Sequence, residues 1–173
     1  MNTELISNLA NLALALSFIT ALIFGIVQVQ IARRDRRERL TLEVLNRYQT
    51  REFAELMNYI NTHNLPTDRQ SFWALPVDEQ VSMIQFGQQM ESLGIMLAGR
   101  FISISLVDKT LGSFITTSWE KCKPLFTDIR VNQPDPYLGE YFQWLAENID
   151  KRMKENPRVP FNEVKRHSTG LKH

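Results

Sequence analysis

The sequence predicts an all-α protein, in which one N-terminal transmembrane helix continues into a cytosolic helical domain of about five helices. Three observations indicate this fold class. No charged side chain occurs from Leu5 to Ala32. Beyond this run, apolar residues return at intervals of three and four, as in amphipathic helices. The alternation typical of strands is confined to residues 102–107, which we interpret as a loop that leads into a helix.

The uncharged run is long enough to cross a bilayer as a helix. Its 28 residues would extend over about 42 Å, and a hydrocarbon core of about 30 Å requires only about 20 apolar residues. A buried core helix of this length would normally carry a polar face, and a signal peptide would carry positive charge before its apolar run. The only charged side chain before the run is Glu4. We therefore predict a transmembrane helix over residues 5–32, a cytosolic domain over residues 33–155 and a basic tail over residues 156–173.

A cluster of arginines follows the uncharged run directly. Five arginines lie within seven residues, at Arg33, Arg34, Arg36, Arg37 and Arg39. Arginines beside a membrane span stay on the cytoplasmic side and attract anionic lipid headgroups. The cluster therefore predicts a bacterial inner-membrane protein with its N-terminus outside and its C-terminal domain in the cytoplasm. The lone Cys122 is consistent with a reducing compartment.

Small residues recur every four positions within the predicted span, at Ala13, Ser17, Ala21 and Gly25. A stripe of this kind lets the backbone of a second helix approach closely. A protein with one span has no internal partner for that face, so we expect a homo-oligomer. The spacing fits a dimer and a pore-forming ring equally, and small residues also occur by chance in membrane helices. The lipid bilayer is the other expected partner.

The first half of the cytosolic domain divides at caps and prolines. Residues 33–48 continue the membrane helix, and Thr50 is the predicted N-cap of a second helix. A short helix over about residues 68–74 ends before Pro76, where the clearest cytosolic helix begins. That helix is predicted to end with Gly99 at its C′ position. Its packed face is expected to contain Val81, Ile84, Met90, Leu93, Ile95 and Leu97.

The second half of the domain is predicted to hold three further helices. Ser105 is the predicted cap of a short helix over residues 106–111, and a longer helix begins near Ser113 with a kink at Pro124. A proline-rich break separates this helix from a last one over about residues 137–154. The side chains expected in the core from that last helix are Tyr141, Phe142, Trp144, Leu145 and Ile149.

The charge of the domain does not favour nucleic acid as a partner. Residues 40–150 hold eight Lys or Arg against fourteen Asp or Glu, whereas residues 33–39 and 151–173 are both basic. A nucleic-acid-binding domain would concentrate positive charge on a folded face. Basic segments on either side of an acidic body fit anionic lipid better. We therefore do not expect a nucleic-acid partner.

No combination of residues in the sequence predicts a catalytic or metal site. A helical nuclease would need an arginine shortly before a histidine, and Arg166 with His173 is the one such pair, at the end of the sequence. Cys122 lies on the apolar face of its predicted helix and is expected to be a core thiol. Metal-ligand spacing and glycine-rich phosphate loops are both absent. We therefore predict a protein without a cofactor, a metal or enzymatic activity.

Aromatic and glycine landmarks recur in a defined order along the chain. They are Tyr48-Gln49-Thr50-Arg51-Glu52-Phe53, Glu91-Ser92-Leu93-Gly94-Ile95 with Gly99, Leu111-Gly112, Trp119-Glu120 and Tyr137-Leu138 with Tyr141-Phe142-Gln143-Trp144-Leu145. With the membrane span and the arginine cluster, this order resembles a family of small prokaryotic single-pass membrane proteins that is known only as a domain of unknown function. The resemblance covers about residues 9–150 and implies the architecture, but no activity.

The size and layout are also similar to those of the membrane accessory proteins encoded beside RNA-targeting CRISPR effectors, which implies assembly as a pore-like ring. That similarity is one of architecture alone. We expect a non-enzymatic protein that oligomerises and binds a protein partner at the inner face of the membrane. The alternative is an oligomeric pore or membrane-perturbing accessory in antiphage defence of the CRISPR type.

Overall fold

The computed structural model describes residues 2–132 and 135–157. This part of the chain contains six helices and no strand, which confirms the predicted all-α fold class. The predicted basic tail lies outside the described residues from residue 158 onward. The helices are α1 (Asn2–Arg47), α2 (Arg51–Thr62), α3 (Arg69–Trp73), α4 (Val77–Ala98), α5 (Ile104–Asn132) and α6 (Glu140–Glu155).

The first helix is continuous from the apolar segment into the folded domain. It contains 46 residues, and the arginine cluster does not interrupt it, as the sequence predicted. At about 1.5 Å per residue, a helix of this length extends over roughly 69 Å. Every side chain from Thr3 to Arg37 is exposed. The last turns of α1 differ, because Thr41 and Leu45 are buried in the domain.

Side-chain caps begin α2 and α3, and the cap of α2 is the predicted Thr50. The Thr50 hydroxyl accepts a hydrogen bond from the backbone N–H of Phe53 at 3.2 Å. Asp68 forms a reciprocal capping box with the residue three positions later. Within α3, Phe72 is buried while its neighbour Trp73 is exposed. The buried side chains of α2 are Phe53, Leu56 and Ile60.

The fourth helix is apolar on two faces, and its predicted packing face is wrong for three residues. Val81, Ile84 and Ile95 are exposed. At 3.6 residues per turn they share one face, which lies opposite the buried face. Apolar residues on both faces leave the periodicity without a unique direction, so only packing decides which face is covered. The buried residues are Met83, Phe86, Met90, Leu93, Gly94 and Leu97.

The turn after α4 contains a left-handed residue, but not the predicted one. Gly99 keeps a right-handed conformation, whereas Arg100 has φ 58°. The N–H of Phe101 bonds to the carbonyl of Met96. The N–H of Arg100 bonds to the carbonyl of Leu97, which completes a Schellman motif. A Cβ at position 99 would lie 2.5 Å from the exposed ring of Phe101, so any other residue there would require this side chain to move.

The fifth helix is a single helix, whereas the sequence predicted two. The carbonyl of Ser103 accepts its first two N–H bonds, so Ser105 lies inside the first turn and is not the cap. Gly112 is buried and does not break the helix, because a glycine in a helix interior costs only about 1 kcal/mol. The helix also continues past Pro124 to Asn132.

The sixth helix begins at Glu140, three residues after the predicted start. Gly139 precedes it in a left-handed conformation with φ 74°, which ends the connecting turn there. Of the five predicted core residues, Trp144 is exposed and Tyr141 is partly buried. The three that are fully buried are Phe142, Leu145 and Ile149.

The end of α1 packs antiparallel to α4. The Thr41 hydroxyl accepts a hydrogen bond from the N–H of Ser103 at 2.8 Å. The Tyr48 hydroxyl donates to the carbonyl of Gln89 at 3.0 Å. As the chain proceeds along α1 towards Tyr48, its contacts therefore move back along α4 towards the start of that helix. The last residues of α4 lie at the level of Thr41, on the side of the apolar segment.

The fifth helix runs in the opposite direction, away from the apolar segment. It starts beside Thr41, and farther along it the ring of Phe114 lies 6.0 Å from the ring of Phe53. Two turns later, the ammonium group of Lys121 donates to the carbonyl of Ile60 at 2.8 Å. The helix therefore passes α1 first and the end of α2 last.

The sixth helix returns antiparallel to α5. Near its start, Gln143 accepts a hydrogen bond from the Arg130 guanidinium at 2.6 Å. Near its end, Arg152 donates from Nε to Asp108 Oδ2 at 3.2 Å, close to the start of α5. The last turn of α6 therefore lies beside the first turns of α5.

The domain consequently has two ends with a core between them. The proximal end, nearest the apolar segment, contains residues 98–109 and 150–157. The distal end contains α3, the last turns of α2 and α5, and the first turns of α4 and α6. The core contains an aromatic cluster, in which the centre of the Phe142 ring lies 5.7 Å from the centre of the Phe86 ring and 5.1 Å from that of Trp119.

Candidate functional site

The four small residues predicted to pack between helices lie on the exposed part of α1. Ala13, Ser17, Ala21 and Gly25 are all exposed. A Cβ placed on Gly25 would meet no atom of the described residues within 4 Å. The part of the chain that the structure describes therefore leaves this face uncovered. The packing of a second copy against it stays a prediction.

The five predicted arginines also lie on the exposed part of α1. Arg34 donates from Nε to Glu38 Oε1 at 2.9 Å, one turn later. An ion pair with both partners this exposed contributes little to stability. The side chains of the cluster therefore face whatever surrounds α1 at this level, which is either solvent or lipid headgroups. The exposed arginines are Arg33, Arg34, Arg36, Arg37 and Arg39.

A buried threonine joins α1 to the domain just after the arginines. The Thr41 hydroxyl donates to the carbonyl of Arg37 at 2.6 Å and accepts from the N–H of Ser103. One turn later, Leu45 enters the core. Burial raises the pKa of the Tyr48 hydroxyl to about 12, and this hydroxyl donates to a carbonyl of α4. These contacts fix the direction of α1 relative to the domain.

Two of the landmark residues hold α6 against α4. The Glu91 carboxylate accepts the N–H of Phe142 at 2.9 Å and the N–H of Tyr141 at 3.3 Å. Gly139 has no side chain with which to cap α6, so a carboxylate from the neighbouring helix satisfies these N–H groups. A Cβ at Gly94 would clash with the carbonyl oxygen of Tyr141. The two helices therefore lie so close together at this point that only glycine fits at position 94.

A cavity of about 630 Å³ opens at the distal end, between α3, α4, α5 and the start of α6. Its volume falls in the range of about 300–1,000 Å³ that is usual for ligand pockets. The lining is mostly apolar, and the Glu91 carboxylate at its edge is already bonded to α6. The lining includes Phe72, Trp73, Ile84, Phe126, Ile129 and Leu138.

Exposed apolar side chains continue the lining of this cavity onto the surface. Trp73 is 59% exposed and Ile84 is 45% exposed, although both line the cavity. Val77 and Val81 share the helical face of Ile84 and are exposed as well. We call the cavity and these four residues the distal apolar surface. A contiguous exposed apolar surface is typical of a protein–protein interaction site.

Neither the cysteine nor the described histidine is placed for nucleophilic or acid–base chemistry. Cys122 is buried, and burial raises the pKa of its thiol to about 12. The thiol is therefore protonated at neutral pH, which confirms the predicted core thiol. His63 is exposed, and its ring stacks on Tyr59 of its own helix at 4.4 Å. His63 is the C-cap of α2, and its backbone N–H bonds to the carbonyl of Tyr59.

Within residues 2–132 and 135–157, no group of His, Cys, Asp or Glu side chains is arranged to hold a metal ion. Arg166 and His173, the pair considered for nuclease chemistry, lie outside the described residues. The absence of enzymatic activity and of a cofactor therefore stays a prediction.

A family model described as a domain of unknown function, DUF4760, matches residues 15–149 of the chain. The chain belongs to the DUF4760 family. This membership bears out the resemblance to a family known only as a domain of unknown function. Comparisons with curated proteins and with solved structures each returned no match. The similarity to CRISPR accessory proteins receives no support from these findings.

The DUF4760 match begins inside the apolar segment of α1. It therefore includes the arginine cluster, the joint at Thr41 and the contact between α4 and α6. Among the small residues of the stripe, Ala13 alone lies before the match. The same helix contains an 18-residue window with a mean hydropathy of 2.4, none of which is buried. By length and composition, α1 is able to cross a membrane.

The sequence did not predict three features of the DUF4760 domain. Nothing in the local pattern relates Thr41 to Ser103 or Glu91 to the start of α6, because each pair is separated by fifty or more residues. The distal apolar surface had one signal, which is that α4 carries apolar residues on two faces. That pattern shows that one face stays uncovered, but not which one.

Proposed function

We propose that this protein crosses the bacterial inner membrane once and binds a protein partner through the distal apolar surface of its cytosolic domain. It acts without catalysis, as an anchored binding module that assembles with further copies of itself. The proposal rests on the continuity of α1. One uninterrupted helix leads from an apolar segment that the described chain leaves uncovered into the core of the domain.

The bilayer is the medium that best accounts for the uncovered segment. Residues 5–32 expose a long run of large apolar side chains, and burying one such side chain stabilises by about 1.5–3 kcal/mol. The backbone N–H and C=O groups of a helix are bonded within the helix, which satisfies the requirement that lipid imposes. The arginines at the end of the segment favour an N-terminus outside and a domain in the cytoplasm.

The partner that fits the distal apolar surface is a segment with large apolar side chains and basic flanks. Residues 44–97 and 110–149 hold six Lys or Arg against eleven Asp or Glu. Trp73 at the surface is of the residue type that most often anchors an interface. An apolar segment would cover the cavity, and basic flanks would complement the surrounding negative charge.

Homo-oligomerisation is supported by the uncovered stripe of small residues on α1. The second candidate function, an oligomeric pore or membrane-perturbing accessory in antiphage defence, is favoured by polar amides on the same exposed helix. They are Asn8, Asn11 and Gln28. In a ring of spans Asn8 and Asn11, which lie about 60° apart around the helix, would line an axis at the outer end, whereas Gln28 lies on the side of the stripe.

Cysteine labelling in intact cells tests the proposed topology. In a Cys122→Ala background, Thr3→Cys and Tyr137→Cys each introduce one exposed thiol, one on either side of the predicted span. We expect a membrane-impermeant maleimide to label the first in intact cells and the second only after the inner membrane is permeabilised. Labelling of both thiols in intact cells, or of neither, contradicts a single N-out span.

Leucine substitutions on α1 test assembly and separate it from a pore. Ala21→Leu lies on the stripe, while Ala15→Leu makes the same change about 140° around the helix from the centre of the stripe. We expect only Ala21→Leu to shift the detergent-solubilised oligomer towards monomer. If the two variants have the same oligomeric state, the oligomer does not assemble through the stripe. An intact membrane potential at full expression excludes the pore.

A site-specific photo-crosslinker tests the distal apolar surface. Ile84 and Ile95 are isoleucines on the same face of α4 with 45% and 47% exposure, and Ile84 lines the cavity. We expect a protein adduct from position 84 that Trp73→Ser reduces, and no such adduct from position 95. Equal adducts at the two positions, or an adduct that Trp73→Ser leaves unchanged, contradict docking at this surface.

A further inference from the structure

We propose that the proximal end of the domain is a second membrane contact, which binds the anionic headgroups of the cytoplasmic leaflet through Arg100 and Phe101. The inference depends on the membrane span proposed above. It adds a peripheral lipid-binding surface on the folded domain, fifty or more residues away from the span in sequence. The occupant is the phosphate of an anionic lipid, together with the acyl boundary beneath it.

The path of the helices brings this turn towards the bilayer. Ser103, two residues after Phe101, is bonded to Thr41 of α1. Thr41 lies nine residues beyond Ala32, the last residue of the predicted span, which is about 13 Å along a helix. The headgroup region occupies about 5–7 Å of that distance. An extended arginine side chain on the turn spans the remainder.

The side chains on the turn suit an anionic surface. Arg100 is exposed, and Phe101 is exposed by 62% although it is a large aromatic side chain. The axis of α4 runs towards the bilayer, so both residues project from the end of the helix that lies nearest to it. A basic residue next to an exposed aromatic one matches an interface in which phosphates lie above acyl chains.

The charge of the domain is divided in the same direction. Residues 98–109 and 150–157 hold five Lys or Arg against three Asp or Glu, whereas the rest of the folded domain is acidic. Lys109 and Lys151 are exposed at this end, and Lys151 lies 3.8 Å from Glu155. The proximal end lies within about one Debye length of the headgroups, which is about 8 Å at physiological salt. Its positive charge is therefore attracted to the leaflet and the acidic remainder is repelled.

A domain held at two points has a fixed orientation on the membrane. The first point is the exit of α1 from the bilayer, and the second is the turn at Arg100 and Phe101. Because α4 and α6 both run from the distal end to the proximal end, this attachment directs the distal apolar surface towards the cytosol. The headgroup contact would thus keep the proposed partner site accessible.

Quenching by spin-labelled lipids in vesicles tests this contact on the full chain. Single fluorophores are placed at Ala98→Cys on the proximal end, at Tyr137→Cys on the distal end and at Phe18→Cys in the span, all in a Cys122→Ala background. In vesicles of phosphatidylcholine with phosphatidylglycerol, we expect a headgroup nitroxide to quench position 98 and not position 137. We expect an acyl-chain nitroxide to quench position 18.

Arg100→Gly provides the matched variant, because glycine adopts φ 58° without strain and the fold is retained. Removing one basic side chain near an anionic surface should weaken the association by about fivefold. Quenching at position 98 should therefore fall in this variant and also in vesicles of phosphatidylcholine alone. Circular dichroism verifies that the variant is folded.

The outcomes separate this inference from the proposed span. If position 18 is quenched while positions 98 and 137 stay equally unquenched, the span holds and the headgroup contact is wrong. Quenching at position 98 that depends on neither phosphatidylglycerol nor Arg100 also overturns the contact with anionic headgroups. An unquenched position 18 overturns the span itself.

Discussion

Two parts of one helix have opposite surroundings in this protein. From Thr3 to Arg37, α1 is exposed on every side, whereas Thr41 and Leu45 are buried in the domain. Leu22 is 55% exposed and Leu45 is 4% exposed, although an uninterrupted helix connects them. Helical structure alone therefore does not determine how much a side chain contributes to stability. That contribution depends on whether the side chain is buried against other residues or left exposed.

The apolar part of α1 depends on its own backbone bonds and, in the span that we propose, on lipid. The last turns of α1 depend on contacts with α4 and α5. Identical substitutions in the two parts should therefore have unequal effects on the domain. Each pair can be compared by urea unfolding of the detergent-solubilised full chain, followed by tryptophan fluorescence.

The largest difference is expected for leucine. Leu45→Ala removes a buried side chain and should lower the free energy of unfolding by about 2–5 kcal/mol. Leu22→Ala removes the same atoms from the uncovered part and should change that free energy by less than about 0.5 kcal/mol. Equal losses in the two variants would mean that the apolar segment packs on the domain.

Glycine provides a second comparison. Gly94→Ala places a Cβ against the carbonyl oxygen of Tyr141 and forces α6 away from α4. Because the obstacle is backbone, the loss should lie near 3 kcal/mol, about the upper end of the usual overpacking range. Gly25→Ala meets no described atom within 4 Å and should leave the unfolding of the domain unchanged. A tolerated Gly94→Ala contradicts the close approach of the two helices.

Threonine provides a smaller contrast. Thr41 and Thr20 both donate to a carbonyl one turn earlier, but only Thr41 also accepts an N–H from another element. Thr41→Val leaves the partly buried N–H of Ser103 without its acceptor, which should cost about 1 kcal/mol, the lower end of the usual range. Thr20→Val should have no measurable effect on the domain. If the two variants unfold alike, the Thr41 bond does not hold α1 to the α4–α5 turn.

The smallest effect is expected at the boundary between the two parts. Glu38→Gln breaks the pair with Arg34, whose side chains are 47% and 75% exposed. Solvent and salt screen such a pair, so we expect the same urea midpoint as for the unchanged protein. A clear loss of stability would indicate that Glu38 bonds to the domain.

Much of the fold could be predicted because it depends on local chemistry. The side-chain oxygens of Thr50 and Asp68 cap α2 and α3, and the uncharged run determines where α1 is apolar. The errors lie where distant residues decide the outcome. The predicted break near Gly112 is absent because packing on both sides of it offsets the low helix propensity of glycine. Gly99 was predicted as the left-handed residue, a position that Arg100 occupies instead.

The candidate sites divide in the same way. The small-residue stripe and the arginine cluster are features of consecutive sequence, and both lie on α1 where the pattern placed them. The distal apolar surface arises only when α4 turns the face of Phe86 inwards and leaves Ile84 exposed. The proximal contact that we propose depends on the hydrogen bond that holds Ser103, two residues after Phe101, to Thr41.

By itself, the sequence determined the all-α class, an apolar helix long enough to cross a membrane, and the basic junction at its end. Those properties follow from side-chain hydrophobicity and charge along a single helix, and they need no partner. The tertiary structure alone decided the directions of α4, α5 and α6, the capping of α6 by Glu91, and the apolar residues that remain exposed. These depend on contacts between residues that are fifty or more positions apart, which the local periodicity of a chain does not specify.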